Sequence, residues 1–197
     1  MQIRRFRAED LDELYLICLR TAAAGSDATG LLEEPNLFGD LFAAPYAVLE
    51  PEHCHVLAEG SGPPLGYVLG TLDAVAFEER CEIEWWPQMR QFHPRTVDGD
   101  GVDDLLIALI HDRPVPRHDL RSEYPSELHI DLLPEVQGLG WGRRLMESMF
   151  AGLNVAGSPG VHLGVSDENS SAVAFYRHLG LEELCFDGIT RVFGKRL

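Results

Sequence analysis

Gln137-Gly-Leu-Gly-Trp-Gly142 is the stretch on which the fold turns. It follows an apolar, strand-like run, Leu128-His-Ile-Asp-Leu-Leu133, and opens a run of helical period over residues 143–153. Alternating glycines at such a bend have no Cβ to fend off a ligand, so main-chain N–H groups can converge on an anion. The helix that starts there adds its unpaired amides and the positive end of its dipole. The stretch is therefore expected to grip a phosphorylated cofactor. A dinucleotide fingerprint does not fit, because that pattern needs G-x-G-x-x-G early in a βαβ unit, whereas here G-x-G-x-G stands late in the chain.

Upstream, residues 2–7 read as a first strand, and Asp10-Leu-Asp-Glu13 as a capping box before a helix with Leu11, Leu14, Ile17 and Cys18 on one face. Residues 36–45 read as a second short helix. Residues 53–59 and 65–75 form an antiparallel hairpin around Gly60-Ser-Gly-Pro-Pro64. From about 78 to 123 the pattern is broken by Trp85-Trp86, several prolines and an Asp98-Gly-Asp-Gly101 turn; one helix stands out at 102–111, and the segment reads as an insertion. Downstream come a strand at 127–133, a helix at 142–153, a strand at 160–165 and a helix at 170–179 closed by Gly180. Strands 182–186 and 190–194 then pair across Asp187-Gly188. The expectation is one domain over residues 1–197, of mixed α/β class.

The chain has 45% hydrophobic and 24% charged residues, which argues for a packed globular core and against disorder. Its formal charge of -16 argues against nucleic acid and anionic membranes as partners and favours cationic ones. No apolar signal core follows Met1-Gln-Ile-Arg-Arg-Phe6, so a cytoplasmic location is expected. Cys18, Cys54, Cys81 and Cys185 form no C-x-x-C pair and are read as reduced thiols. His53-Cys-His55 lacks companions to complete a metal site, and no metal is expected.

The glycine bend resembles the pyrophosphate loop of the GNAT acetyltransferase superfamily, whose pattern Q/R-x-x-G-x-G/A is met by Gln137-Gly-Leu-Gly-Trp-Gly142. The likeness extends to Leu132-Leu-Pro134 at the strand end, to Asn169 and Tyr176 on the later helix, and to the element order. Within the superfamily, Tyr124-Pro-Ser-Glu-Leu-His-Ile-Asp-Leu-Leu-Pro-Glu-Val-Gln137 and the Trp-rich insertion look like the acetyltransferase-like domain of O-GlcNAcase and its bacterial relatives. This resemblance implies a central, mostly antiparallel sheet of about seven strands, with a parallel pair splayed in its middle and helices on its flanks. It implies acetyl-CoA as donor and a primary amine as acceptor, either a small basic amine or a lysine, by direct transfer. It also leaves a second reading open: a non-catalytic acetyl-CoA-binding module used for sensing or interaction. Either a monomer or a homodimer suits it.

Carried onto this sequence, the family's cofactor contacts fall on Leu132, Leu133, Gln137, Gly138, Leu139, Gly140, Trp141, Gly142, Arg143, Asn169, Phe175 and Tyr176. Main-chain groups near Leu132 and Leu133 would hold the pantetheine arm, and the Tyr176 hydroxyl would serve the departing sulfur. An alkyl ammonium has a pKa near 10.4, so a base must help free it of its proton. Strand alternation puts Glu127, His129 and Asp131 on one face unless a bulge splits them; Asp131 is the favoured base, then Glu127, then His129. Trp85 and Trp86 could wall the acceptor beside these carboxylates through cation–π attraction, although core packing is the competing role. Asn169 could bind cofactor, cap its helix, or do both.

Overall fold

The computed structural model describes residues 1–95, 99–115 and 117–197; Asp98 of the expected Asp98-Gly-Asp-Gly101 turn lies outside them. One seven-stranded sheet runs through the molecule in the order β1-β2-β3-β4-β5-β7-β6. Its strands are β1 (Gln2–Arg5), β2 (His55–Ala58), β3 (Pro64–Thr71), β4 (Ser126–Leu132), β5 (Gly160–Ser166), β6 (Glu182–Phe186) and β7 (Thr190–Arg196). All neighbours are antiparallel except β4 and β5, which run parallel and pair only at Ser126↔Val161 and Glu127↔His162. Beyond Glu127 the two strands part, and a wedge opens in the middle of the sheet.

Among the described residues, eight α-helices flank it: α1 (Leu11–Leu19), α2 (Leu37–Phe42), α3 (Ala44–Leu49), α4 (Ala74–Glu84), α5 (Trp86–Phe92), α6 (Val102–His111), α7 (Trp141–Val155) and α8 (Ser170–His178). Strand alternation divides the interior. Val56, Tyr67 and Leu69 face a core shared with α1 to α6, whereas Leu57, Val68 and Leu128 face a second core built with α7 and α8.

Four local expectations are corrected. Asp10 does not cap α1; its carboxylate accepts from the Arg7 N–H and from both terminal nitrogens of Arg4, at 2.6 and 2.7 Å. The helix at 36–45 is two helices, broken at Ala43 where ψ stays helical but φ swings to -122°. Strand β3 ends at Thr71, because Asp73 caps α4 by accepting from the N–H groups of Val75 and Ala76. The insertion carries α5 as well as α6, and Pro87 near the start of α5 costs no helical hydrogen bond there. The closing hairpin and the Gly180 helix end agree with the sequence: Gly180 has φ +76° and Gly188 +99°.

Candidate active site

The site is the wedge between β4 and β5. Two recesses of about 520 and 500 Å³ open into it, and Asp131, Asn169 and Tyr176 belong to both.

The first recess is bounded by the glycine bend. Gly140, at φ +81°, is the residue before α7, and a side chain there would sit in the strained left-handed region. A Cβ on Gly142 would come within 3.1 Å of Phe175 Cζ, so this glycine serves close packing of α7 against α8. Among the described residues, the amides of Gly138, Leu139, Gly140, Trp141, Gly142 and Arg143 have no acceptor. A row of unpaired N–H groups at a helix N-terminus is a cradle for a diphosphate. Open space lies around Gly138 and Gly140, where a Cβ would touch nothing within 4 Å. The residues therefore fit the nucleotide end of coenzyme A.

The two leucines at the end of β4 differ. The Leu133 N–H donates to the Leu65 carbonyl at 2.9 Å and its carbonyl accepts from Val136, so its main chain is fully engaged. Alternation then turns the N–H and C=O of Leu132 away from β3 into the wedge. The Gln137 side chain donates to the Leu132 carbonyl at 2.7 Å, tying the strand end to the bend. Arg143 is half exposed and sits 3.7 Å from Glu147, while Arg144 lies over the Trp141 ring at 4.5 Å. Leu139 is exposed. Asn169 has both expected features: its Oδ1 accepts from the Ala172 N–H as a cap, and its side-chain amide lines both recesses.

On the opposite face of β4 the polar trio stays together. Strand β4 pairs with β3 without a register shift, so no bulge separates Glu127, His129 and Asp131. They line the second recess with Phe42, Tyr46 and Phe77. Asp131 accepts from the Tyr67 hydroxyl at 2.6 Å, and His129 Nε2 lies 2.9 Å from the same carboxylate oxygen, at an angle that falls short of a hydrogen bond. Burial, the largest single influence, drives the imidazole towards neutrality; the charge and close approach of Asp131 together with the neighbouring Cys18 outweigh it and push His129 up to about 10. The shift favours the imidazolium form of His129. The Tyr46 hydroxyl donates to Glu127 at 3.3 Å. Tyr176 is 7% exposed and its hydroxyl has no hydrogen-bond partner among the described residues. Burial, with the Asp131 charge behind it, raises the Tyr176 pKa, so the phenol keeps its proton.

Trp85 and Trp86 are both core residues, at 8% and 1% exposed. Trp85 Nε1 donates to the Asp40 carbonyl and Trp86 Nε1 to Glu78; only Trp86 reaches the second recess, under Arg113. Sequence reasoning did not place in the site Cys18, Tyr46 or the turn at Ala24 and Gly25, which border the wedge, or Tyr67, which reaches it through Asp131. The one signal in the sequence was the small-residue run Ala22-Ala-Ala-Gly25, whose Gly25 would place a Cβ 3.0 Å from Asn169 Nδ2.

The acetyltransferase (GNAT) family profile matches residues 25–181. The chain belongs to the GNAT acetyltransferase family. The crystal structure of SsHAT superposes with a TM-score of 0.92 at 38% identity, covering 99% of this chain and 97% of that one. Rat (Rattus norvegicus) protein O-GlcNAcase is 26% identical over 188 residues, which are 92% of this chain and 20% of the relative, so the chain spans about a fifth of the length of the curated relatives it matches. The fold is shared more distantly by a phosphinothricin acetyltransferase from Sinorhizobium meliloti in complex with AcCoA, with a TM-score of 0.59 and 15% identity over 100% of this chain and 88% of that one. The family is one of acetyltransferases, and acetyl-CoA is its donor. Among the described residues, no helix is long and apolar enough to cross a membrane.

Proposed function

We propose that this chain, folded as a single GNAT domain, transfers the acetyl group directly to a primary amine, either a small basic amine or an exposed lysine. The observation that carries this is the meeting of two recesses at Tyr176 and Asp131, one walled by unpaired amides and the other by carboxylates and aromatic rings. When bound, acetyl-CoA supplies an activated thioester.

The amides from Gly138 to Arg143 would hold the diphosphate. The Leu132 N–H, facing the wedge, would hydrogen-bond the thioester carbonyl and stabilise the oxygen as charge develops on it. Glu127 and Asp131 would accept hydrogen bonds from the incoming ammonium, with the rings of Phe42 and Tyr46 covering its cationic end. Asp131, directly or through water, would take the proton at its carboxylate oxygen; Glu127 stands behind it on the same face. Held imidazolium, His129 orients Asp131 rather than acting as the base. Tyr176, protonated and unpartnered, would give its hydroxyl proton to the leaving sulfur.

Incubation of the purified chain with acetyl-CoA and a panel of amines and lysine peptides should release free thiol. Lack of release across the panel, with coenzyme binding confirmed by calorimetry, would refute transfer. It would leave a module that binds acetyl-CoA without turning it over, a reading that the engagement of Asp131 by Tyr67 and His129 supports.

A further inference from the structure

Three donors from two elements converge in the second recess: the Cys18 thiol from α1, and His129 and Asp131 from β4. Their ligand atoms lie within 4.8 Å of one another. We propose that Cys18, His129 and Asp131 form a binding site for a divalent transition metal of the zinc class, with its fourth position open to the recess.

The donor set selects the metal. A thiolate, an imidazole and a carboxylate together suit a borderline-soft, tetrahedral ion, whereas calcium and magnesium take oxygen ligands. Bond lengths of about 2.0 to 2.3 Å at tetrahedral angles separate donors by roughly 3.3 to 3.6 Å. The imidazole and carboxylate, 2.9 Å apart, need to open by a few tenths of an ångström, and the thiol, within 4.8 Å of both, needs to close by at most about one. Rotation about side-chain bonds covers both distances.

Three further features point to a built site. His129 Nε2 is buried with no aligned hydrogen-bond partner, so a donor atom aims into the cluster unsatisfied. Its ring is held between Phe42, with centroids at 6.2 Å, and Tyr67, at 5.9 Å, which fixes its direction. The Tyr67 hydroxyl donates to Asp131 at 2.6 Å and orients the carboxylate from behind, as outer hydrogen bonds do in metal centres. Cys18 itself is 3% exposed, and its reach to solvent runs through the recess. On coordination the thiol and the imidazolium each release a proton to solvent and bind as thiolate and neutral imidazole. An ion seated there occupies the groups assigned to the acceptor, so it would compete with amine while leaving the amides of the glycine bend free.

Cobalt(II) titrated into the metal-free full chain tests this without any acetyl transfer. Expected are a thiolate-to-metal charge-transfer band in the near ultraviolet, visible bands of tetrahedral intensity, and displacement of both by zinc. Cys18→Ala should abolish the charge-transfer band, and His129→Ala should weaken binding at least tenfold. Tyr67→Phe should weaken binding by about 10-fold while keeping the band. Circular dichroism establishes that each variant is folded, and the Tyr67 and His129 variants keep the test decisive if Cys18→Ala does not fold. No charge-transfer band in the parent chain, or an unchanged band in Cys18→Ala, would overturn the assignment whether or not the chain acetylates amines.

Discussion

Tyr176 shows how much one hydroxyl is asked to do. It is buried, has no hydrogen-bond partner among the described residues and stands where both recesses meet. Tyr176→Phe removes that oxygen and little else, so kcat should fall by about 100-fold or more. Affinity for coenzyme A should stay within a few fold, and the Tm close to that of the parent. A kcat within a few fold of the parent would remove Tyr176 from the proton path. Gly140 makes the complementary case on the cofactor side. At φ +81° an alanine is strained by about 1–2 kcal/mol, and any relaxation turns amides away from the cradle. Gly140→Ala should therefore weaken coenzyme binding measured by calorimetry, while unchanged affinity would show that the bend does not hold the diphosphate. The face shared by Glu127, His129 and Asp131 was legible in the sequence because β4 keeps the plain two-residue period. Their partners Cys18, Tyr46 and Tyr67 were not, since pairing of β3 with β4 and the seating of α1 are long-range facts that no local pattern encodes. Strand parity also hid the difference between Leu132 and Leu133, which rests on which of them points its amide at Leu65.

At the scale of elements, proline and aspartate misled in opposite ways. Pro45 read as the last residue of a helix and Pro87 as a breaker, yet each lies in the first turn of a short helix, where a missing N–H costs nothing. Asp10 read as a cap, yet it was drawn to Arg4 instead. The element that does depend on a cap is α4. Asp73 accepts from two amides at its start and pairs with Arg121 at 2.7 Å. Asp73→Ala should cost about 1 kcal/mol, read as a fall of about 2–4 °C in Tm; no change would mean that the tertiary packing of α4 makes the cap redundant. The Asp10–Arg4 pair predicts a pH dependence. Burial raises the Asp10 pKa, but the Arg4 hydrogen bonds, the Arg7 N–H and their charges together hold it below its ordinary value of 3.8. The unfolded chain thus binds this proton more readily, and the pair's stabilisation is complete above 3.8 and lost as pH falls through the lower folded value. Asp10→Asn should flatten the acid limb of the Tm–pH profile, and an unaltered limb would show that other carboxylates set it.

Taken whole, the molecule places an anionic ligand in an anionic protein. Its formal charge is -16, whereas the cofactor recess has Arg143 and His178 on its border, with Asp131 at its inner end. Arg143 is already close to Glu147. The unpaired amides act over a few ångströms and fix where the diphosphate rests, but they do not reach into solvent to draw it in. The net charge does reach that far, and it repels the cofactor, because at low ionic strength the Debye length extends to about 30 Å, which is comparable with the whole domain. Arrival and retention therefore depend on different parts of the molecule. Raising salt to physiological strength shrinks that length to about 8 Å, so the repulsion felt on approach fades while the short hydrogen bonds persist. The association rate of coenzyme A, followed by stopped flow, should rise between low and moderate salt with a smaller change in dissociation rate. A rate that falls instead would mean that Arg143 and its neighbours form a local basic funnel stronger than the field of the remaining surface, and Arg143→Gln should then remove the salt dependence.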